Sequence, residues 1–366
     1  MTDYDITIIG AGPAGATLAR MLAGKFRVLV IDRGRAKCCG GLIHPDVQRL
    51  ISRYGLVMPN SVLEGPQVGT VRVYDFDNGL SRHYPKNYLN VSRERFDAWL
   101  RELVPPTVDF RVPAKYVGCD VNSTSGEITV HFRQDDIPGT VKTRMLVGAD
   151  GAFSPVRRQF VPEFPPRNMY VSVQHWFAPG VESRCYGAFF DREVTDYYSW
   201  SIPKGDRLIV GTAVPVEFPA RPRFELLLEK LRGLGMKLEN EVFREAAMIV
   251  RPHSLKDICP VPDVSRCVAL VGEAAGWISP SSAEGISYSM RSAEALADAL
   301  LETPGGLDSW NRVRKIFLRK LKPLYSDIWW KILRIPFMYH PLLRGMIIRS
   351  GKFSLKTRGE MFWQEI

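Results

Sequence analysis

Three places in the chain set glycines beside a carboxylate at the end of an apolar run. The first is Gly10-Ala11-Gly12-Pro13-Ala14-Gly15, entered from Ile6-Thr7-Ile8-Ile9, with Asp32 twenty residues beyond Gly12. In a G-x-G-x-x-G turn the first glycine allows a tight bend. The second admits a pyrophosphate close to backbone N–H groups, and the third lets helix and strand pack closely. The helix that follows points its N-terminus, and its positive dipole end, at the anion. A carboxylate at Asp32 is placed to hold ribose hydroxyls. The second place is Gly148-Ala149-Asp150-Gly151-Ala152-Phe153-Ser154-Pro155-Val156-Arg157, after Met145-Leu146-Val147. The third is Gly272-Glu273-Ala274-Ala275-Gly276, after Val268-Ala269-Leu270-Val271. Either later turn alone is an ordinary strand end. The first alone does not separate one dinucleotide from another.

Other residues have chemistry of their own. Cys38 and Cys39 are adjacent and run into Gly40-Gly41. A free cysteine is most often a small buried hydrophobe, so reactivity is the sharper of two readings. Tyr198 and Trp200 alternate with Ser199 and Ser201, which puts both rings on one strand face, as core or as the wall of an apolar pocket. Arg93 near a helix start opposes the helix dipole and makes more sense beside an anion. None of the six cysteines forms a C-x-x-C pair, and the six histidines show no ligand spacing, so a metal site is not expected.

The elements that position these residues follow from pattern. Residues 1–32 read as strand, turn, helix and second strand, with Ala14, Leu18, Met21 and Leu22 on one helical face. Residues 60–90 read as short strands turning at Asp77-Asn78-Gly79. Arg93 to Val104 reads as a helix capped by Ser92. Residues 108–147 are strand-rich with a hairpin at 122–127, and 171–214 are strand-rich and aromatic. Residues 223–247 and Gly285 to Leu301 read as helices, and the tail from Ser309 is helical, basic and aromatic.

The organisation is therefore α/β. Dinucleotide-binding segments are expected at 1–60, 91–165 and 256–303, sheet-domain segments at 61–90 and 166–255, and basic helices at 304–366. With 366 residues and 45% hydrophobic content, disorder is excluded and about two domains are expected. Cysteines are too few for a secreted disulfide scaffold. The net charge of +10 is uneven: residues 307–366 hold thirteen Lys/Arg against four Asp/Glu, leaving +1 for the rest. A nucleic-acid partner is not expected, because the basic residues are not on the folded core. The acidic start and the lack of a long uninterrupted apolar run point to the cytoplasm, with attachment at the inner membrane face as the tail's expected role. Its aromatics and basic residues suit an anionic membrane surface, against the plain alternative that they pack on the domain.

Together the three glycine–acid turns resemble the flavoprotein hydroxylase superfamily, in which G-A-D-G-x-x-S-x-x-R and a G-D, here Gly272-Glu273, wrap an FAD. Further segments resemble the geranylgeranyl reductase family: Cys39-Gly40-Gly41, the helix Arg93 to Leu100, Tyr198-x-Trp200-x-Ile202-Pro203-Lys204, and Pro280 with Glu284-Gly285-Ile286. The likeness is greatest to the bacterial CbrA-type members. Two departures stand out, Glu273 for Asp and Ile202 for Phe.

The resemblance implies a Rossmann-like FAD domain in discontinuous segments, an antiparallel-sheet substrate domain and a helical C-terminal region. It implies cofactor contacts at Gly10, Gly12, Ala14, Gly15, Asp32 and Arg33. More are implied at Cys39, Gly40, Gly41, Arg93 and Val117, and at Asp150, Gly151, Glu273, Ala274, Gly285 and Ile286. Cys39, Tyr198, Trp200 and Lys204 are the implied catalytic group. The helix start at Gly285 would then face the anionic reduced flavin. The expected activity is reduction of carbon–carbon double bonds in a hydrophobic, isoprenoid-like substrate. With no second G-x-G-x-x-G, the electron donor is expected to be a transient NAD(P)H or a protein carrier. A flavin monooxygenase or halogenase on the same fold is the rival enzyme. A flavoprotein that only carries or senses a ligand is the non-catalytic rival.

Overall fold

The computed structural model describes residues 2–35, 37–162, 169–178, 185–262 and 266–352. The chain divides into two compact units, Met1–Ala36 with Phe96–Asn168 and Val250–Ile332, and Lys37–Arg95 with Met169–Ile249 and Leu333–Ile366. Residues 37–60 thus sit with the sheet-rich unit, and the C-terminal region is shared between the two at Ile332/Leu333.

The first unit is built on a seven-stranded sheet. Asp109–Arg111, Val28–Ile31, Tyr4–Ile9, Ile137–Gly148, Ile128–Gln134 and Lys115–Val121 lie in that spatial order, and Val268–Leu270 pairs with Ile137–Gly148. The strands nearest the glycine turns are parallel and buried on both faces, hence their nearly continuous apolar runs. Register aligns their ends: Ile9 pairs with Ile31 and with Gly148, and Leu270 pairs with Gly148. All three glycine–acid turns therefore leave the sheet at the same carboxyl edge, where open α/β sheets hold ligands. The helices Pro13–Leu22 and Ile286–Glu302 pack together beside it.

The second unit holds an eight-stranded sheet in the order Glu241–Val250, Met169–Phe177, Arg207–Pro215, Ser199–Lys204, Tyr186–Phe190, Val68–Asp75, Leu80–Asn90 and Leu42–Ile43. The helix Ala220–Gly233 covers one face, where Phe224, Leu227, Leu228 and Leu231 pack on Leu208, Val210, Phe177 and Phe189. The helix expected over 223–247 is corrected here: it ends at Gly233, Gly235 follows with φ +85°, and Glu241–Val250 is an edge strand. Ala246, Ala247 and Met248 favour a helix locally, but pairing with the neighbouring strand overrides that preference. Toward the C-terminus, three helices follow among the described residues, Trp310–Lys320, Lys322–Tyr339 and Pro341–Ser350.

Candidate functional site

In the first unit the glycines explain themselves selectively. Gly10 has φ +103°, and a Cβ there would lie 2.4 Å from Ala149 O. A Cβ at Gly15 would lie 1.8 Å from Gly10 O, so both positions are required by the fold itself. Gly12 is different: it is extended, with φ −72°, and a Cβ would meet nothing within 4 Å. Gly285, at the start of Ile286–Glu302, is similar, with φ −126° and ordinary contact to Ile278 at 3.6 Å. Two helix starts thus carry a glycine that the protein's own packing does not need, which fits close approach by a ligand. At the second, Glu284 accepts from Ser287 N at 2.7 Å and from Ser287 Oγ at 2.8 Å, fixing the turn.

Asp32 accepts from Ala11 N at 2.8 Å and from Gly34 N at 2.7 Å. It ties the first glycine turn to the second strand, and each oxygen keeps a lone pair for a hydroxyl donor. Arg33 beside it is exposed. Ala14 is buried, and a Cβ at Gly272 would lie 3.0 Å from its methyl, so Ala14 seats the helix against the third turn. Val117 stands at a bulge in its strand and is 57% exposed.

Asp150 accepts from Val156 N at 3.3 Å through Oδ2, while Oδ1 is buried with no partner among the described residues. Burial raises its carboxyl to about 6, against the opposing hydrogen bonds of Ser154 and the local backbone and the charge of Arg157. Gly151 follows with φ +79°. Glu273, 6% exposed, accepts from Val250 N at 3.3 Å; its extra methylene reaches the end of the strand Glu241–Val250. Ala274 behind it is fully buried. Buried Arg157 links the second and third turns, donating to Ala274 O at 3.0 Å, to Glu273 O at 3.3 Å and to Ala152 O. The orphaned Asp150 oxygen and the open Gly12 and Gly285 backbones fit a bound dinucleotide cofactor.

In the second unit one strand face organises the other candidates. Trp200, Ile202 and Lys204 lie at i, i+2 and i+4, with Tyr198 preceding, on the face opposite the covering helix. Trp200 packs over Gly211, where a Cβ would be 2.5 Å from its ring. Tyr198 lies 5.8 Å from Trp200 and 4.9 Å from Tyr197, and Tyr339 completes the cluster 5.4 Å from Tyr197 and 5.6 Å from Phe190. Farther along, the end of the Ile202 side chain fills the space over Gly40, at 2.2 Å from a hypothetical Cβ. Lys204, 5% exposed, donates to Val91 O at 2.6 Å and to Gly41 O at 3.4 Å. Burial lowers its ammonium to about 8, with Cys39 and Glu64 opposing the shift. Gly41 has φ +64° and no room for a Cβ against Val91 O. Lys204 is thus a positioning residue that pins the Cys39-Gly40-Gly41 loop to the sheet.

The adjacent thiols are free and sit differently. Cys39 Sγ accepts from Gly41 N at 3.5 Å. Cys38 is pushed up, first by burial and then by the carboxylate of Glu245, which also accepts from Trp176 Nε1 at 2.9 Å and from Gln174. Half-buried Arg93 opens the helix Arg93–Glu102, whose capping oxygen is Ser92 Oγ, 3.4 Å from Arg95 N.

A family described as an FAD binding domain matches residues 3–177. Protein CbrA of Escherichia coli O1:K1 / APEC is 38% identical over 360 residues, covering 96% of this chain and 94% of its own length. The chain belongs to the CbrA family. Among solved structures, this CbrA-family chain resembles a geranylgeranyl bacteriochlorophyll reductase-like protein from Thermoplasma acidophilum, with TM-score 0.70, 16% identity, and 94% and 98% of the two chains covered. It also resembles PqsL, a probable FAD-dependent monooxygenase from Pseudomonas aeruginosa, with TM-score 0.67, 19% identity, and 95% and 98% covered. At those identities the likeness is one of fold. This CbrA-family protein is an FAD-binding flavoprotein with the oxidoreductase and monooxygenase fold. Its sequence concealed the roles of Arg157, Glu245 and Tyr339. Arg157 was visible as the end of its motif, whereas Glu245 and Tyr339 carry no motif signal.

Proposed function

We propose that this flavoprotein reduces carbon–carbon double bonds in a hydrophobic, isoprenoid-like substrate. When bound and reduced, FAD supplies the hydride equivalent, held by Gly12, Asp32, Asp150 and the helix start at Gly285. The protein's own contribution is an apolar wall from Tyr198 and Trp200, which sheds water from an alkene chain, and a thiol loop held at the end of the same strand. The observation that carries the reading is Lys204: buried, it spends its ammonium on the carbonyls of Gly41 and Val91 and so fixes Cys39 in place. A hydride adds to one alkene carbon and a proton to the other, so the bond gains two hydrogens and the donor loses two electrons. The external reductant is NAD(P)H or a protein carrier.

The test is anaerobic incubation of the reduced holoprotein with polyprenyl lipids, read by mass spectrometry. Gain of two hydrogens per double bond without oxygen supports the proposal. Product that forms only with oxygen and carries an oxygen atom assigns the protein to the monooxygenases. That second reading draws support from the PqsL fold and from Tyr198-x-Trp200-x-Ile202-Pro203, which nearly spells the halogenase motif Trp-x-Trp-x-Ile-Pro. A flavin that no donor reduces would leave only a carrier or sensor.

A further inference from the structure

We infer that the outward face of the last helical turns, from Leu333 to Lys352, docks on an anionic lipid surface. The helix Pro341–Ser350 departs from an ordinary surface helix: it buries Arg344 and Ile348 but exposes Leu342, Met346 and Ile347. Arg344 is 5% exposed and donates to Asp75 at 2.8 Å and Asp77 at 2.5 Å, while Leu342 is 70% and Met346 59% exposed. On the preceding helix Leu333 and Phe337, one turn apart, are 44% and 52% exposed. A soluble helix turns such residues inward. Here the ion pairs of Arg344 fix how the helix faces, and among the described residues the exposed apolar side chains have no covering element in their own unit.

Charge selects the occupant. Residues 328–359 contain seven Lys/Arg and no Asp/Glu. Arg344 is spent on Asp75 and Asp77, and Lys331 pairs with Asp327 at 3.2 Å. Arg334, Arg349 and Lys352 remain on the exposed side around the apolar stripe. A second copy of the chain would meet this face with the same positive charge. An anionic headgroup layer over acyl chains answers both features at once, with apolar side chains entering the boundary and basic stems snorkelling to the phosphates. The binding stands whether or not the alkene reading holds.

The test uses the full-length, FAD-loaded protein and vesicles of phosphatidylcholine with or without phosphatidylglycerol, read by co-sedimentation at low and high salt. Two double variants are compared, Phe337→Asp with Met346→Asp, and Arg334→Glu with Arg349→Glu. All four positions are exposed, and flavin absorbance and thermal melting check that the fold is kept. The expected result is binding to phosphatidylglycerol vesicles at low salt, lost as salt rises and weakened at least about tenfold by each double variant. Wild-type protein that ignores these vesicles overturns the proposal, as does binding that either variant leaves unchanged. So does a dimer dissolved by Phe337→Asp and Met346→Asp in a protein that binds no vesicles, because the face is then a self-interface.

Discussion

At the scale of single residues, the buried carboxylate of Asp150 makes the pH behaviour of the FAD-free protein predictable. Burial raises it to about 6, so the folded chain keeps this proton to higher pH than the unfolded chain does. The resulting stabilisation is complete below the ordinary carboxylate pKa and is lost as pH rises through about 6. Between about pH 4 and about pH 7 the FAD-free wild type is therefore expected to lose stability relative to Asp150→Asn. Denaturation midpoints of both proteins across that range measure it, and parallel curves would remove the argument. The two thiols are expected to separate as well. Cys39→Ala should retain FAD but alter the extent or regiochemistry of the proposed alkene reduction, whereas Cys38→Ala should leave its products unchanged and lower stability, because Cys38 lies against Glu245. Flavin stoichiometry and product analysis distinguish them, and matching phenotypes would refute the assignment. Ala283 is a third case: a non-glycine residue at φ +50° just before Glu284. Relief of that strain is worth about 1–2 kcal/mol, offset by about 0.4–1 kcal/mol of extra unfolded-chain entropy. Ala283→Gly should thus stabilise by up to about 1.6 kcal/mol in thermal melting.

At the scale of elements, the strand Ser199–Lys204 joins the aromatic cluster to the thiol loop, and its middle residue sets how near that loop can come. Gly40→Ala would drive a methyl into Ile202, an overpacking that costs about 1–3 kcal/mol. Ile202→Val removes the offending Cδ1, so the same Gly40→Ala change should cost less in that background. A double-mutant cycle on stability measures the coupling, and additive effects would mean that the loop yields instead of the side chain. This contact also shows what the sequence withheld. The Rossmann strands, their glycine turns and the alternation of Tyr198 and Trp200 were legible, because each is a local pattern. The partners of Lys204 were not: Gly41 and Val91 lie 163 and 113 residues away, and no local spacing encodes which carbonyl a lysine will find. The edge strand Glu241–Val250 was misread for a related reason. Its residues favour a helix when taken alone, and only the strand Met169–Phe177 beside it decides otherwise.

At the scale of the whole molecule, the chain passes between its two units five times, so neither unit exists as a continuous stretch of sequence. The last passage places the described residues 333–352 in the second unit, and their anchor is the buried ion-pair network of Arg344 with Asp75 and Asp77. Asn78 adds to it, donating to Asp75 at 2.7 Å and to Pro341 O at 2.9 Å. The side chains of Asp75 and Asp77 are 0% and 6% exposed, so removing the arginine leaves Asp75 with the neutral amide of Asn78 and Asp77 with the exposed Arg192, 3.4 Å away. Loss of one partner of a buried pair costs about 3–5 kcal/mol, more than the pair itself contributes over an apolar replacement. Truncation after Ile332 is therefore expected to lower the melting temperature sharply, and Arg344→Met should reproduce much of that loss in the full chain. Adding Asp75→Asn and Asp77→Asn to Arg344→Met should recover part of it, since neutral amides tolerate burial where carboxylates do not. A truncated protein that melts like the full chain, with its flavin content intact, would show that the C-terminal helices are an appendage and not part of the second unit's core.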